Sequence, residues 1–132
     1  MHLRRLAAEA SPYVLASLLV TTGTLHLLRP AVFDSLIPPF LGDPRAWTYA
    51  SGLAELAVAA AVALPRTRRA GGLAAAALFV AVLPGNVYMA FEPGDVPRWI
   101  ALLRLPLQVP LVLWGLQVAG IFSSTARPRL AP

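Results

Sequence analysis

Residues 43–64 read DPRAWTYASGLAELAVAAAVAL, and this stretch decides the fold. Asp43-Pro44 is a helix start: the aspartate suits the N-cap, and proline suits the first helical position, where its missing N–H costs nothing. The apolar run that follows, about residues 46–64, matches the 17–25 residues needed to cross a ~30 Å hydrocarbon layer. Pro65 and the arginines at 66, 68 and 69 stop it. Within it stands Glu55, a carboxylate that lipid should exclude unless it is paired, hydrated or turned to a protein interior. The stretch therefore predicts a membrane-spanning helix with one polar side chain facing other helices.

The same pattern recurs on both sides. A first span covers about 12–28, opened by Ser11 as N-cap and Pro12 as first helical residue, and closed by Arg29-Pro30. A third covers about 70–91. It begins with Gly71-Gly72 among alanines, which permit close helix approach, and is interrupted by Pro84-Gly85-Asn86. A fourth covers about 97–122 with Pro106 and Pro110 inside it, and a short tail, 123–132, follows. Between the first two spans, Val32, Phe33, Leu36 and Ile37 precede Pro38-Pro39 in a piece too short to cross. It reads as an interfacial or re-entrant segment. The fold class expected is all-α: a single integral membrane domain over residues 1–132, a four-helix bundle with one short outer segment between helices 1 and 2.

Composition agrees. Of 132 residues 58% are hydrophobic and 13% charged, about half the charged share of a soluble domain. Mean hydropathy is +0.67. The net charge of +5 is placed in the positive-inside manner. Arg4, Arg5, Arg66, Arg68, Arg69, Arg127 and Arg129 share one side, whereas Asp34, Asp43, Glu92 and Asp95 share the other. Both termini are thus expected in the cytoplasm, and no basic patch with interleaved aromatics remains for nucleic acid. Trp47, Tyr49, Tyr88 and Trp99 fall near outer span ends, like an aromatic belt. The basic, apolar N-terminus lacks a small-residue cleavage site and reads as a retained helix. The absence of cysteine excludes thiol–disulfide exchange and Cys-ligated metal or iron–sulfur sites within the chain.

Five polar side chains in the spans form the candidate ligand site: His26, Glu55, Asn86, Arg104 and Gln108. Counted at 1.5 Å per residue from the outer ends, Glu55 and Gln108 lie roughly 16 Å in, Arg104 roughly 10 Å, and Asn86 and His26 shallower. Thr48, Ser51 and Glu55 share a face, as do Arg104 and Gln108. A common outward-opening pocket satisfies all of them. Glu55 is expected to be buried against Arg104, as a proton acceptor or ligand anchor, or as a structural pair that fixes register. Asn86 is expected to repair the Pro84 kink, and Gln108 to pair with Glu55. One histidine and one carboxylate are too few for a metal site, and a single membrane histidine is too few for a bis-histidine haem.

Gly23-Thr24-Leu25-His26, Ser51-Gly52-Leu53-Ala54-Glu55, the loop 65–69, Pro84-Gly85-Asn86 and Leu103-Arg104-Leu105-Pro106-Leu107-Gln108 together resemble the DoxX-like family of small bacterial four-helix membrane proteins. The resemblance runs from about Thr22 to Trp114. It implies a multi-pass protein of the bacterial cytoplasmic membrane, associated with redox systems, with a quinone-like or lipid-like ligand and a membrane redox partner protein. Eleven arginines and no lysine fit such a source. Three readings stand: an accessory or ligand-binding subunit; a small isomerase- or lyase-type enzyme in which His26 and Glu55 are the acid–base couple; and a structural, homo-oligomerising protein whose polar cluster only specifies packing.

Overall fold

The computed structural model describes residues 1–94 and 96–123. The expectations placed on Asp95, Arg127, Arg129 and most of the tail lie outside them. The described residues form α1 (His2–Leu28), α2 (Pro30–Asp34), a 3-10 turn (Pro39–Leu41), α3 (Pro44–Ala63), α4 (Arg68–Ala81), α5 (Leu83–Phe91) and α6 (Arg98–Val118). With α4 and α5 taken as one broken helix, four helices are long and apolar enough to cross a membrane. Only 17–33% of each helix's most apolar stretch is buried inside the molecule. The rest of that apolar surface faces outward on all four helices, including Val14, Leu53, Val80 and Leu107. Apolar surface on this scale is compatible with a multi-pass membrane protein.

Close helix crossings hold the bundle together. A methyl group built on Gly23 would stand 2.9 Å from the Gly52 carbonyl oxygen, and one on Gly52 would stand 2.8 Å from His26 Cβ, so α1 and α3 touch backbone to backbone there. At the other end, a methyl on Gly72 would stand 2.5 Å from the Ala119 nitrogen, and one on Gly115 would stand 2.8 Å from the Ala76 nitrogen. The Gly71-Gly72 pair thus does bring helices together, Gly71 against α3 at Ala61 and Val62 and Gly72 against the end of α6. Between the crossings, Leu15, Leu19, Ala59, Val62, Ala75 and Phe79 form the core.

Asp43 caps α3 as expected, its carboxylate accepting from Arg45 N–H at 3.0 Å, with Pro44 at the first position. Gly42 before it has φ +87°, which glycine adopts without strain. Arg68 closes the other end of α3, donating to the Val62 and Ala63 carbonyls at 3.0 Å each. Helix α1 corrects the sequence reading: it begins at His2, and Pro12 lies inside it. The strong helix formers upstream, Leu6, Ala7, Ala8, Glu9 and Ala10, carry the helix through the proline. The Ala8 carbonyl that loses its donor there is on an exposed residue. Ser11, expected as N-cap, instead accepts a 2.9 Å hydrogen bond from Trp114 Nε1–H and ties α1 to α6. Helix α6 ends at Val118, four residues short of the expected 122.

Candidate functional site

The core fills one end of the bundle, and the other end encloses a cavity of about 580 Å³, within the range of small-molecule sites. Four of the five expected polar residues line it: His26 from α1, Glu55 from α3, Asn86 from α5 and Arg104 from α6. Gln108 does not. It is buried and donates its Nε2–H to the Phe79 carbonyl at 3.0 Å. Phe79 stands in the last turn of α4, which ends at Ala81, just before the break at Val82 and Pro84. Gln108 thus satisfies a carbonyl at the end of α4 instead of pairing with Glu55, as the sequence suggests for it.

The Glu55 partner also differs from the expectation. Glu55 Oε2 lies 3.1 Å from His26 Nδ1, and no ion pair joins it to Arg104 among the described residues. The glycine crossing explains this placement. Gly23 and Gly52 stand three residues before His26 and Glu55, so the closest approach of α1 and α3 lies one turn from both side chains. Arg104 has only a weak contact among the described residues, Nη1–H to Met89 Sδ at 3.8 Å.

The His26 ring is tightly specified. Nδ1 is 2.7 Å from the Thr22 carbonyl oxygen, which can only accept, so Nδ1 carries hydrogen and the neutral ring keeps its lone pair on Nε2. The ring also stacks on Phe33 of α2, with centroids 3.7 Å apart and planes at 20°. Because the Nδ1–H is directed to Thr22, Glu55 Oε2 sits at ion-pair range without a hydrogen bond. It is the one side-chain oxygen or nitrogen among the described residues that is fully buried and unpartnered. Asn86 is 7% exposed, and its side chain makes no hydrogen bond among the described residues.

Segment 30–42 forms one wall of the cavity, through Phe33, Leu36, Ile37, Pro38, Phe40 and Leu41. It is tied to the start of α3 by three bonds. Thr48 Oγ1–H donates to Asp34 Oδ1 at 2.7 Å, Arg45 Nε–H donates to Asp34 Oδ2 at 2.8 Å, and Trp47 Nε1–H donates to the Leu41 carbonyl at 2.8 Å. The Thr48 hydrogen bond, with Arg45 beside it, holds the Asp34 carboxyl below the ordinary carboxylate value. Sequence reading placed Asp34 only among the acidic residues of the outer side and missed this latch. Its signal was local: Asp34 is an acidic side chain facing a helix start that offers Arg45 and Thr48 on one face.

No curated protein and no solved structure matches the chain significantly. A family profile described as a domain of unknown function, DUF8561, matches residues 15–119. The matched region holds His26, Glu55, Asn86 and Arg104 of the cavity and the glycine crossings that position them. By that match the chain belongs to the DUF8561 family.

Proposed function

We propose that this chain is a four-pass integral membrane protein that holds a small amphipathic molecule in the cavity, on the side of the membrane away from Arg66, Arg68 and Arg69. The observation that carries the reading is Glu55, which lines a cavity of about 580 Å³ and whose Oε2 is buried and unpartnered among the described residues. A buried polar oxygen without a partner costs about 1–3 kcal/mol, and a ligand that supplies the missing bond recovers it. The rest of the lining is mostly apolar, which suits a lipid-soluble body. The arginines near the α3–α4 link and at the start of α1, against Asp34, Asp43 and Glu92 at the other end, favour cytoplasmic termini. The resemblance to DoxX-like proteins supports a place beside a bacterial membrane redox system, as an accessory subunit for a quinone-like or other amphipathic small molecule.

A second reading has one observation in its favour. The 3.1 Å contact of His26 with Glu55 puts two groups capable of acid–base work side by side, a carboxylate next to an imidazole that the Thr22 carbonyl orients with Nε2 unprotonated. Turnover of a lipid-soluble substrate by purified protein without partners would select it over the binding role.

The test is native mass spectrometry of gently solubilised protein, wild type beside Glu55→Gln and Arg104→Leu. A small molecule carried by the wild type and lost from both folded variants supports the ligand site. Its retention by both, or its absence from the wild type, rejects it and returns the polar cluster to a packing role.

A further inference from the structure

The polar groups of the cavity also constrain the head of the ligand. Asn86 and Ser51 each carry both a donor and an acceptor and so accept either kind of head. The other three groups do discriminate. Glu55 Oε2 lies 3.1 Å from a nitrogen that carries hydrogen, so this oxygen turns a lone pair to its surroundings. His26, with hydrogen fixed on Nδ1 by the Thr22 carbonyl, offers only an acceptor at Nε2 while the ring is neutral. Arg104 is donor-only, and among the described residues it finds no more than a thioether at 3.8 Å.

We infer that the cavity takes an amphiphile whose head is a hydroxyl, of phenol or enol type, and rejects the matching ether. The hydroxyl hydrogen goes to Glu55 Oε2, and the same oxygen is left to accept from Arg104. An ether or a bare hydrocarbon of equal length satisfies Arg104 or neither, and leaves Oε2 buried without a donor. Phe33 and Trp47 in the lining suit an aromatic ring, and apolar Leu36, Ile37 and Leu41 in the same lining suit a hydrocarbon tail. The inference rests on the ligand-site reading and adds the chemistry of the head to it.

Three probes separate the two statements: para-decylphenol, para-decylanisole and decylbenzene, titrated into the full chain in lipid nanodiscs, with empty nanodiscs subtracted. The expected result is that the phenol binds at least tenfold more tightly than the anisole, the ratio expected when one good hydrogen bond is lost. In Glu55→Leu, with helicity checked by circular dichroism, that ratio is expected to fall below threefold while decylbenzene still binds. Equal binding of phenol and anisole to the wild type overturns the donor-head inference and leaves the ligand site standing. A preference that survives Glu55→Leu also overturns it, because the selecting group is then not Glu55. Binding of none of the three to folded wild type overturns both statements.

Discussion

Alanine at Gly52 tests the relation between helix crossing and site. The new methyl would stand 2.8 Å from His26 Cβ and 3.0 Å from the Gly23 carbonyl oxygen. Carbon atoms in contact prefer at least about 3.5 Å, so the shortfall is about 0.7 Å. His26 Cβ is fixed to its backbone, so rotamer change cannot relieve the clash and the helices must part. Parting along that line would take His26 Nδ1 and Glu55 Oε2 from 3.1 Å to about 3.8 Å. Overpacking of this kind costs about 1–3 kcal/mol, against a helix-propensity gain of up to about 1 kcal/mol for replacing glycine. Gly85→Ala isolates the propensity gain. Its methyl meets only the Leu36 carbonyl oxygen at 3.4 Å, so it keeps that gain without the clash. Unfolding of both variants in mixed micelles with a denaturing detergent, followed by tryptophan fluorescence, should place Gly52→Ala about 1–3 kcal/mol below Gly85→Ala. Ligand retention should fall in Gly52→Ala relative to wild type. Equal stability of the two variants, with wild-type ligand retention in Gly52→Ala, would refute the argument that the glycine crossing builds the His26–Glu55 contact.

Gln108→Leu should destabilise the protein by about 1–3 kcal/mol, because the buried Phe79 carbonyl loses its donor; unchanged stability in the same unfolding assay would contradict the support assigned to Gln108 at the end of α4. Arg68→Ala uncaps two carbonyls of α3 and should cost about 1–2 kcal/mol, without changing ligand retention at the far end of the bundle. Since the folded Asp34 carboxyl titrates below its ordinary value, its contribution is complete above that value and is lost as pH falls through the lowered one. An NMR titration of its carboxyl carbon should therefore show a midpoint below that of an exposed aspartate, and Asp34→Asn should speed amide exchange in residues 30–42 at neutral pH; a midpoint in the ordinary range would remove the latch.

Length, hydropathy and capping made the four long helices legible, because each depends on local chemistry. Asp43-Pro44 fixed the start of α3, and Pro84 marked the break before α5 within two residues. Ser11-Pro12 misled for a local reason as well, since a good helix start is also a tolerable helix interior when strong helix formers precede it. Partners were harder. Counting depth from chain ends assumed that all the helices end level. Helix α1 instead stops at Leu28 below residues 30–41, which continue the wall of the cavity, so a shallow-looking His26 meets a deep-looking Glu55. The spacing Gly-x-x-His at 23–26 and Gly-x-x-Glu at 52–55 carried that pairing, and only a reading of the two glycines as one crossing would have found it. The separation of Gln108 from the cavity depended on the rotation of α6, which no periodicity of that mostly apolar helix specifies.

The hydrogen bond from Trp114 to Ser11 joins the first long helix to the last and closes the ring of helices at the end opposite the cavity. Fifteen residues of α1 separate Ser11 from His26, a distance of about 22 Å along the axis. Fastening at that distance leaves the cavity end of α1 to be positioned by the Gly23–Gly52 crossing alone, so the joint between the first and last helices and the His26–Glu55 contact rest on separate parts of the chain and can be altered one at a time.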